Sequence, residues 1–151
     1  MLMGDRLRPE LPDDQYDPIL GTFLWDIGTD PDLCLWVLYH TAQSWQRRSH
    51  REVVGTEGVS VLLTPEHADM EHRYLGRSSR IPFWEFRLAV EEHWVAVYRA
   101  NSDSEDRSWW RPGRIDRPDL TPAQEAIVVW EETRRHRHPY RGMIEGIPAR
   151  Q

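Results

Sequence analysis

The chain has 151 residues, of which 39% are hydrophobic and 29% charged, and a formal net charge of −6. That length suits one domain, which buries about 70% of the surface its unfolded chain exposes, and the composition is too apolar and aromatic for disorder throughout. Cys34 is the sole cysteine, which excludes an internal disulfide and a thiolate metal cluster within one chain, and the absence of lysine removes the cation that a P-loop needs.

No apolar run reaches the roughly 18 residues of a membrane span. The N-terminal stretch MLMGDRLRPELPDDQYDP carries acids and prolines where a secretory signal needs its apolar segment. A cytoplasmic protein without membrane contact is expected. Charge is unevenly placed: residues 1–32 hold eight acids against Arg6 and Arg8, whereas the remaining chain holds 17 acids and 17 arginines. Residues 1–19, with Pro9, Pro12 and Pro18 among acids, read as a flexible acidic arm, and residues 20–151 as one globular domain.

Asp30-Pro31-Asp32 reads as a helix start, with Asp30 as cap, Pro31 in the first helical position and acids at the positive end of the helix dipole. The helix should run to about Arg48 and bury Leu33, Trp36, Val37 and Trp45. Cys34 on this helix has no cation among its sequence neighbours and reads as a buried structural thiol. Over residues 51–63, two β-branched runs flank Gly55-Thr56-Glu57-Gly58 and predict a hairpin. Thr64-Pro65-Glu66 repeats the helix-start pattern, which predicts a short helix ended by Gly76.

Residues 83–101, FWEFRLAVEEHWVAVYRAN, fit two patterns. As strands, Trp84, Phe86, Leu88 and Val90 alternate with polar or small residues; as a helix, Phe83, Phe86, Val90, Trp94 and Val97 form a stripe. The density of aromatic and β-branched residues favours the hairpin. Thr121-Pro122-Ala123-Gln124 is a capping box opening a helix that should end near Arg137, because Pro139 disfavours helix at His138. The expected fold is therefore α+β, a small antiparallel sheet from residues 51–63 and 83–99 packed on helices 31–48 and 122–137. It becomes mostly α if residues 83–99 are helical.

The histidines and carboxylates of EHADMEH, residues 66–72, invite a metal reading, with His67 and Glu71 on one face of the expected helix. His67 and His72 are five residues apart, about 140° around a helix axis, whereas metalloprotease helices set their histidines four apart. No metal and no cofactor is expected, and His67 and Glu71 stand as weak candidates. Ser78 and Ser79 lie outside any G-x-S-x-G pattern, and Arg73, Arg77 and Arg80 around them read as surface.

The contact-ready residues fall late in the chain. SWWRPGR sets Trp109 and Trp110 beside Arg111 and Arg114, and RRHRHPYR contributes Arg134, Arg135, Arg137 and Tyr140. From Arg107 to Arg141 there are eight arginines and five acids. Trp36 and Trp84 sit on periodic faces and are expected in the core, whereas Trp109 and Trp110 can form a contact surface or cover the core. Exposed tryptophan and arginine dominate binding hot spots, so the expected activity is recognition of a protein partner, as an inhibitor, an immunity-type protein or a mobile-element accessory factor. A nucleic-acid accessory protein using residues 107–141 and a small metal-dependent enzyme are the alternatives.

Overall fold

The computed structural model describes residues 17–102 and 120–149. In chain order they form α1 (Pro18–Ile27), α2 (Pro31–Trp45), β1 (Glu52–Gly55), β2 (Val59–Leu63), β3 (His67–His72), β4 (Arg77–Pro82), α3 (Phe83–Ser102) and α4 (Pro122–Arg134). The strands make an antiparallel meander in the order β1-β2-β3-β4. The expected α+β class holds. Among the described residues no helix is long and apolar enough to cross a membrane.

Three helix starts share one device. Asp17, Asp30 and Thr121 each cap a helix whose first turn carries a proline, and their side-chain oxygens accept backbone N–H groups that have no helical partner. The capping box of Thr121 and Gln124 closes in both directions, with bonds of 2.9 and 3.2 Å. The expected starts of α2 and α4 are thus present, although α2 ends at Trp45 and α4 at Arg134, earlier than the sequence suggests. Helix α1 has no counterpart in the sequence reading, and Asp17, Pro18 and Ile19, expected in the arm, form its first turn.

The Thr64-Pro65-Glu66 signal closes a turn instead of opening a helix. Thr64 N–H donates to the His67 carbonyl at 2.9 Å, and His67 N–H donates to the Thr64 hydroxyl at 3.1 Å. A side-chain oxygen that accepts from a nearby N–H serves a tight turn as well as a helix cap. The chain beyond this turn is strand β3: Ala68 and Met70 point into the core while His67, Asp69 and Glu71 face outward. Gly76, expected to stop a helix, holds a left-handed φ of 64° in the turn between β3 and β4.

The second hairpin is therefore residues 67–82, and the expected hairpin over residues 83–99 is wrong. Residues 83–100 contain no Gly, Pro, Asn or Asp at which two strands could reverse, and α3 runs through them unbroken. Phe83, Phe86, Val90, Trp94 and Val97 are buried, whereas Trp84 is 64% exposed. Trp84 is thus a surface residue and Trp36 is only partly buried; among the described residues the indoles that fill the core are Trp94 and Trp130. A helical 83–102 does not make the domain mostly α, because β3 and β4 supply the missing strands.

The helices cover one face of the sheet. Val54, Val59, Val61, Leu63, Ala68, Met70 and Ile81 meet Phe23, Leu35, Leu38 and Phe86 there, and each large side chain fully buried contributes about 1.5 to 3 kcal/mol. Of the residues expected to be buried on α2, Val37 is in the core, while Leu33, Trp36 and Trp45 pack at its margin. Cys34 is fully buried and burial pushes its thiol pKa up, with Asp30 adding to the effect, as a structural cysteine requires. Asp26 of α1 fastens the β1–β2 turn by accepting from the Thr56 hydroxyl at 2.7 Å and from Gly58 N–H at 3.0 Å.

After α4 the chain returns across α3. Trp94 donates its indole N–H to the Glu145 carbonyl at 2.8 Å, and Ile147 is fully buried. Gly146 makes this crossing feasible: its φ is 90°, and a Cβ there would lie 2.7 Å from the Tyr98 ring.

Asp17 caps α1 and also accepts from the Ser79 hydroxyl of β4. Asp17→Ala should therefore cost about 1 to 2 kcal/mol in urea unfolding, at the upper end for a lost cap. A change below about 0.3 kcal/mol would show that neither bond matters to α1.

Candidate partner-binding surface

Helix α4 lays Ala123, Ala126, Ile127 and Trp130 against the core and is capped at its C-terminus by Arg135, which adopts the left-handed conformation (φ 61°, ψ 33°) and donates its N–H to the Glu131 carbonyl at 2.7 Å. That conformation favours glycine at a helix end, and holding it costs a residue with a Cβ roughly 1 kcal/mol. It turns the chain sharply, so that residues 136–141 fold back along α4.

A carboxylate organises this reversal. Glu131 accepts His138 N–H at 2.8 Å and grips the Arg141 guanidinium through two bonds of 2.8 Å. The side chains of Arg141 and Glu131 are only 18% and 13% exposed. Burial pulls the Glu131 pKa up, but the bonds from Arg141 and His138 outweigh it and the carboxyl lies below its ordinary range. Arg141 also donates to the Pro148 carbonyl at 3.0 Å, which ties the tail to the same point.

His138 is the buried centre of the turn. Tyr140 N–H donates to its Nδ1 at 3.1 Å, so Nδ1 is unprotonated, and its Nε2–H donates to the Leu35 carbonyl of α2 at 2.9 Å. The imidazole is neutral, and burial pushes its pKa down to about 4 against the weaker opposing pull of the Leu35 carbonyl and Glu131. Its ring contacts Trp130 at 4.5 Å, Trp130 contacts Tyr39 at 5.5 Å, and the Arg134 guanidinium lies over both Trp130 (5.0 Å) and Tyr39 (5.6 Å). Cation–π contacts of this kind hold the arginine in one orientation.

Between the end of α4 and the tail lies an open groove of about 590 Å³, lined by Val128, Glu131, Glu132, Arg135, His136, Arg137, Arg141, Pro148 and Ala149. The volume falls in the range of ligand clefts. Arg135 and Arg137 stand exposed on its rim, and their guanidinium groups make no hydrogen bond or ion pair to any described residue. By contrast, a depression of about 630 Å³ on the uncovered sheet face contains Arg80, whose guanidinium is already bound to Asp69.

Of the partner-binding residues expected from sequence, Arg134, Arg135 and Arg137 are all exposed; Arg135 and Arg137 line this groove, whereas Arg134 lies over Trp130 and Tyr39. Tyr140 is not part of it: the ring is buried, its hydroxyl donates to Glu91 at 2.8 Å, and burial first and Glu91 second push its pKa up. Trp109, Trp110, Arg111 and Arg114 lie outside the described residues. His67 and Glu71 do share a face, but of a strand, where a spacing of four residues is about 13 Å. One ion cannot bridge that gap. Among the described residues no group of three or more His, Cys, Asp or Glu side chains gathers as a metal site. Glu131, Val128, Pro148 and Ala149 were not legible as groove residues, since only the chain reversal at Arg135 brings them together. No protein-family model, curated protein or solved structure matches the chain.

His138 stays neutral in the folded protein down to about pH 4, whereas the unfolded chain takes up that proton near pH 6.5. The unfolded state therefore binds more protons between these values, and the stability this group supplies is complete above pH 6.5 and falls as the pH drops toward 4. Lowering the pH from 7 to 5 should cost about 2 kcal/mol through this residue, measured as urea midpoints. His138→Gln should flatten the dependence by that amount; an unchanged slope would assign the acid sensitivity elsewhere.

Proposed function

We propose that this is a small cytoplasmic binding protein that acts by contact with another protein, in the manner of an inhibitor or accessory factor, through the rim formed by Arg135 and Arg137. The observation that carries the reading is the pairing of uncommitted cations with a rigid support. Arg135 and Arg137 have no ion pair among the described residues, yet the segment that bears them is held by Glu131, His138 and Arg141. Ordering has therefore been supplied by folding, which lowers the entropy cost of association. Arginine presents a planar fork that stays charged when desolvated, a property that suits the centre of an interface.

Arg135 adds an energetic argument. Its backbone holds a conformation that glycine adopts more easily, while its side chain makes no hydrogen bond or ion pair to the described fold. A residue that destabilises the fold without an offsetting contact inside it is well placed to serve outside it.

Arg135→Gly should raise the unfolding free energy by about 0.5 to 1 kcal/mol while weakening partner capture. The check is a denaturant melt beside a capture experiment, with wild-type and Arg135→Gly/Arg137→Ala proteins immobilised in a lysate of the source organism and retained proteins quantified by mass spectrometry. A protein enriched by the wild type and lost with the variant supports the reading. Equal retention by both removes the rim from recognition, and retention abolished by nuclease transfers the site to nucleic acid.

A further inference from the structure

We infer that the groove beside α4 takes an acidic peptide segment in which an apolar side chain is flanked by carboxylates. This deepens the contact reading above by naming the chemistry of the partner, and it rests on that reading. Arg135 and Arg137 are separated by a single residue, and the residue between them, His136, faces back to the Arg137 carbonyl through Nδ1 at 2.9 Å. The remaining guanidinium of the groove, Arg141, is neutralised by Glu131. The net attraction is therefore concentrated at the two rim arginines, each able to fork onto one carboxylate. Val128, on the same face of α4 as Glu131 and Arg135, and Pro148 and Ala149 of the tail provide apolar surface where a branched side chain between the carboxylates can settle.

The apolar wall is fixed in place. Gly142 N–H donates to the Ile147 carbonyl at 2.9 Å, Ile144 and Ile147 form a bridge, and Ile147 is fully buried, so Pro148 and Ala149 leave the core from an anchored residue. A groove that sets two rim cations beside apolar atoms reads an alternating peptide better than a uniform polyanion.

A nucleic-acid strand is less well matched. Strand binding combines phosphate contacts with aromatic faces on which bases stack. Among the described residues, no Trp, Tyr or Phe lines the groove, and Trp130 of the same helix is only 8% exposed with its ring already met by Arg134, His136, His138 and Tyr39.

The test uses the full chain and a fluorescein-labelled peptide, acetyl-Asp-Asp-Leu-Asp-Asp-amide, titrated by fluorescence anisotropy at low salt. Comparison probes are the peptide with Ser in place of its Leu, the all-arginine counterpart with the same central Leu, and a ten-nucleotide oligothymidylate. Saturable binding of the acidic peptide is expected, weakened at least tenfold by Arg137→Ala and by Arg135→Gly and several-fold by loss of the central Leu. Arg137→Glu should reverse the preference toward the arginine peptide. Near-ultraviolet circular dichroism of each variant establishes that the fold is retained, as these side chains have no partner among the described residues. Absence of saturation, equal binding by all variants, or tighter binding of the oligothymidylate would each overturn the inference. If the capture experiment still loses a protein with the rim variant while the peptide fails to bind, the contact surface stands and only the assigned ligand chemistry fails. If the peptide binds but no protein is captured, the reverse holds.

Discussion

The neutral imidazole of His138 joins parts of the chain that are far apart in sequence. One nitrogen accepts from the backbone of the C-terminal segment and the other donates to the carbonyl of Leu35 on α2, 103 residues away. The main-chain N–H of the same residue donates to Glu131. A protonated ring could satisfy the Leu35 carbonyl but not the Tyr140 N–H, because both its nitrogens would donate. Charge state and geometry are thus one constraint, and the fold-back after Arg135, the tail and the rim arginines all depend on it.

Neighbouring groups reinforce that constraint by being committed elsewhere. Arg141 belongs to Glu131, Tyr140 to Glu91, and Arg87 to the same Glu91 oxygen at 2.8 Å while its guanidinium carbon lies 4.1 Å from the Trp45 ring. Half-buried charges in this region have been paired off, a condition for keeping them out of water at tolerable cost. Arg135 and Arg137 stand apart from this pattern at the surface. That their side chains have no partner among the described residues is meaningful because so many of their neighbours are paired.

The helix starts were legible because capping chemistry is local: Asp30-Pro31 and Thr121-Pro122-Ala123-Gln124 specify their first turns within four residues. The same locality misled at Thr64-Pro65, where an identical oxygen-to-amide bond closes a turn, and only the pairing of Ala68 with Leu63 and Ile81 decides for strand. In residues 83–101 both periods fit the aromatic residues, and the exposure of Trp84 could not be read from a pattern that suits either. At the candidate site, the arginines of RRHRHPYR were visible as a dense run, but the burial of Tyr140 was not. That difference arises after the left-handed turn at Arg135, where the chain folds back and His138 and Tyr140 enter the core while Arg135, His136 and Arg137 stay at the surface.

The meander order of the sheet bears on how the molecule assembles. Each strand pairs with its sequence neighbour, so the whole sheet closes through short turns at small entropic cost. Joining Trp94 to Glu145 closes a loop of 51 residues, and joining Leu35 to His138 a much longer one. Contacts of such separation are slow to form and add little until the surfaces they bridge exist. The sheet and the helices adjoining it can therefore collect into a nucleus while the C-terminal segment is still searching. The groove would be completed in the last step of folding and would be the first feature lost in a partial opening from that end, so its occupancy and the tail's protection from hydrogen exchange would rise and fall together.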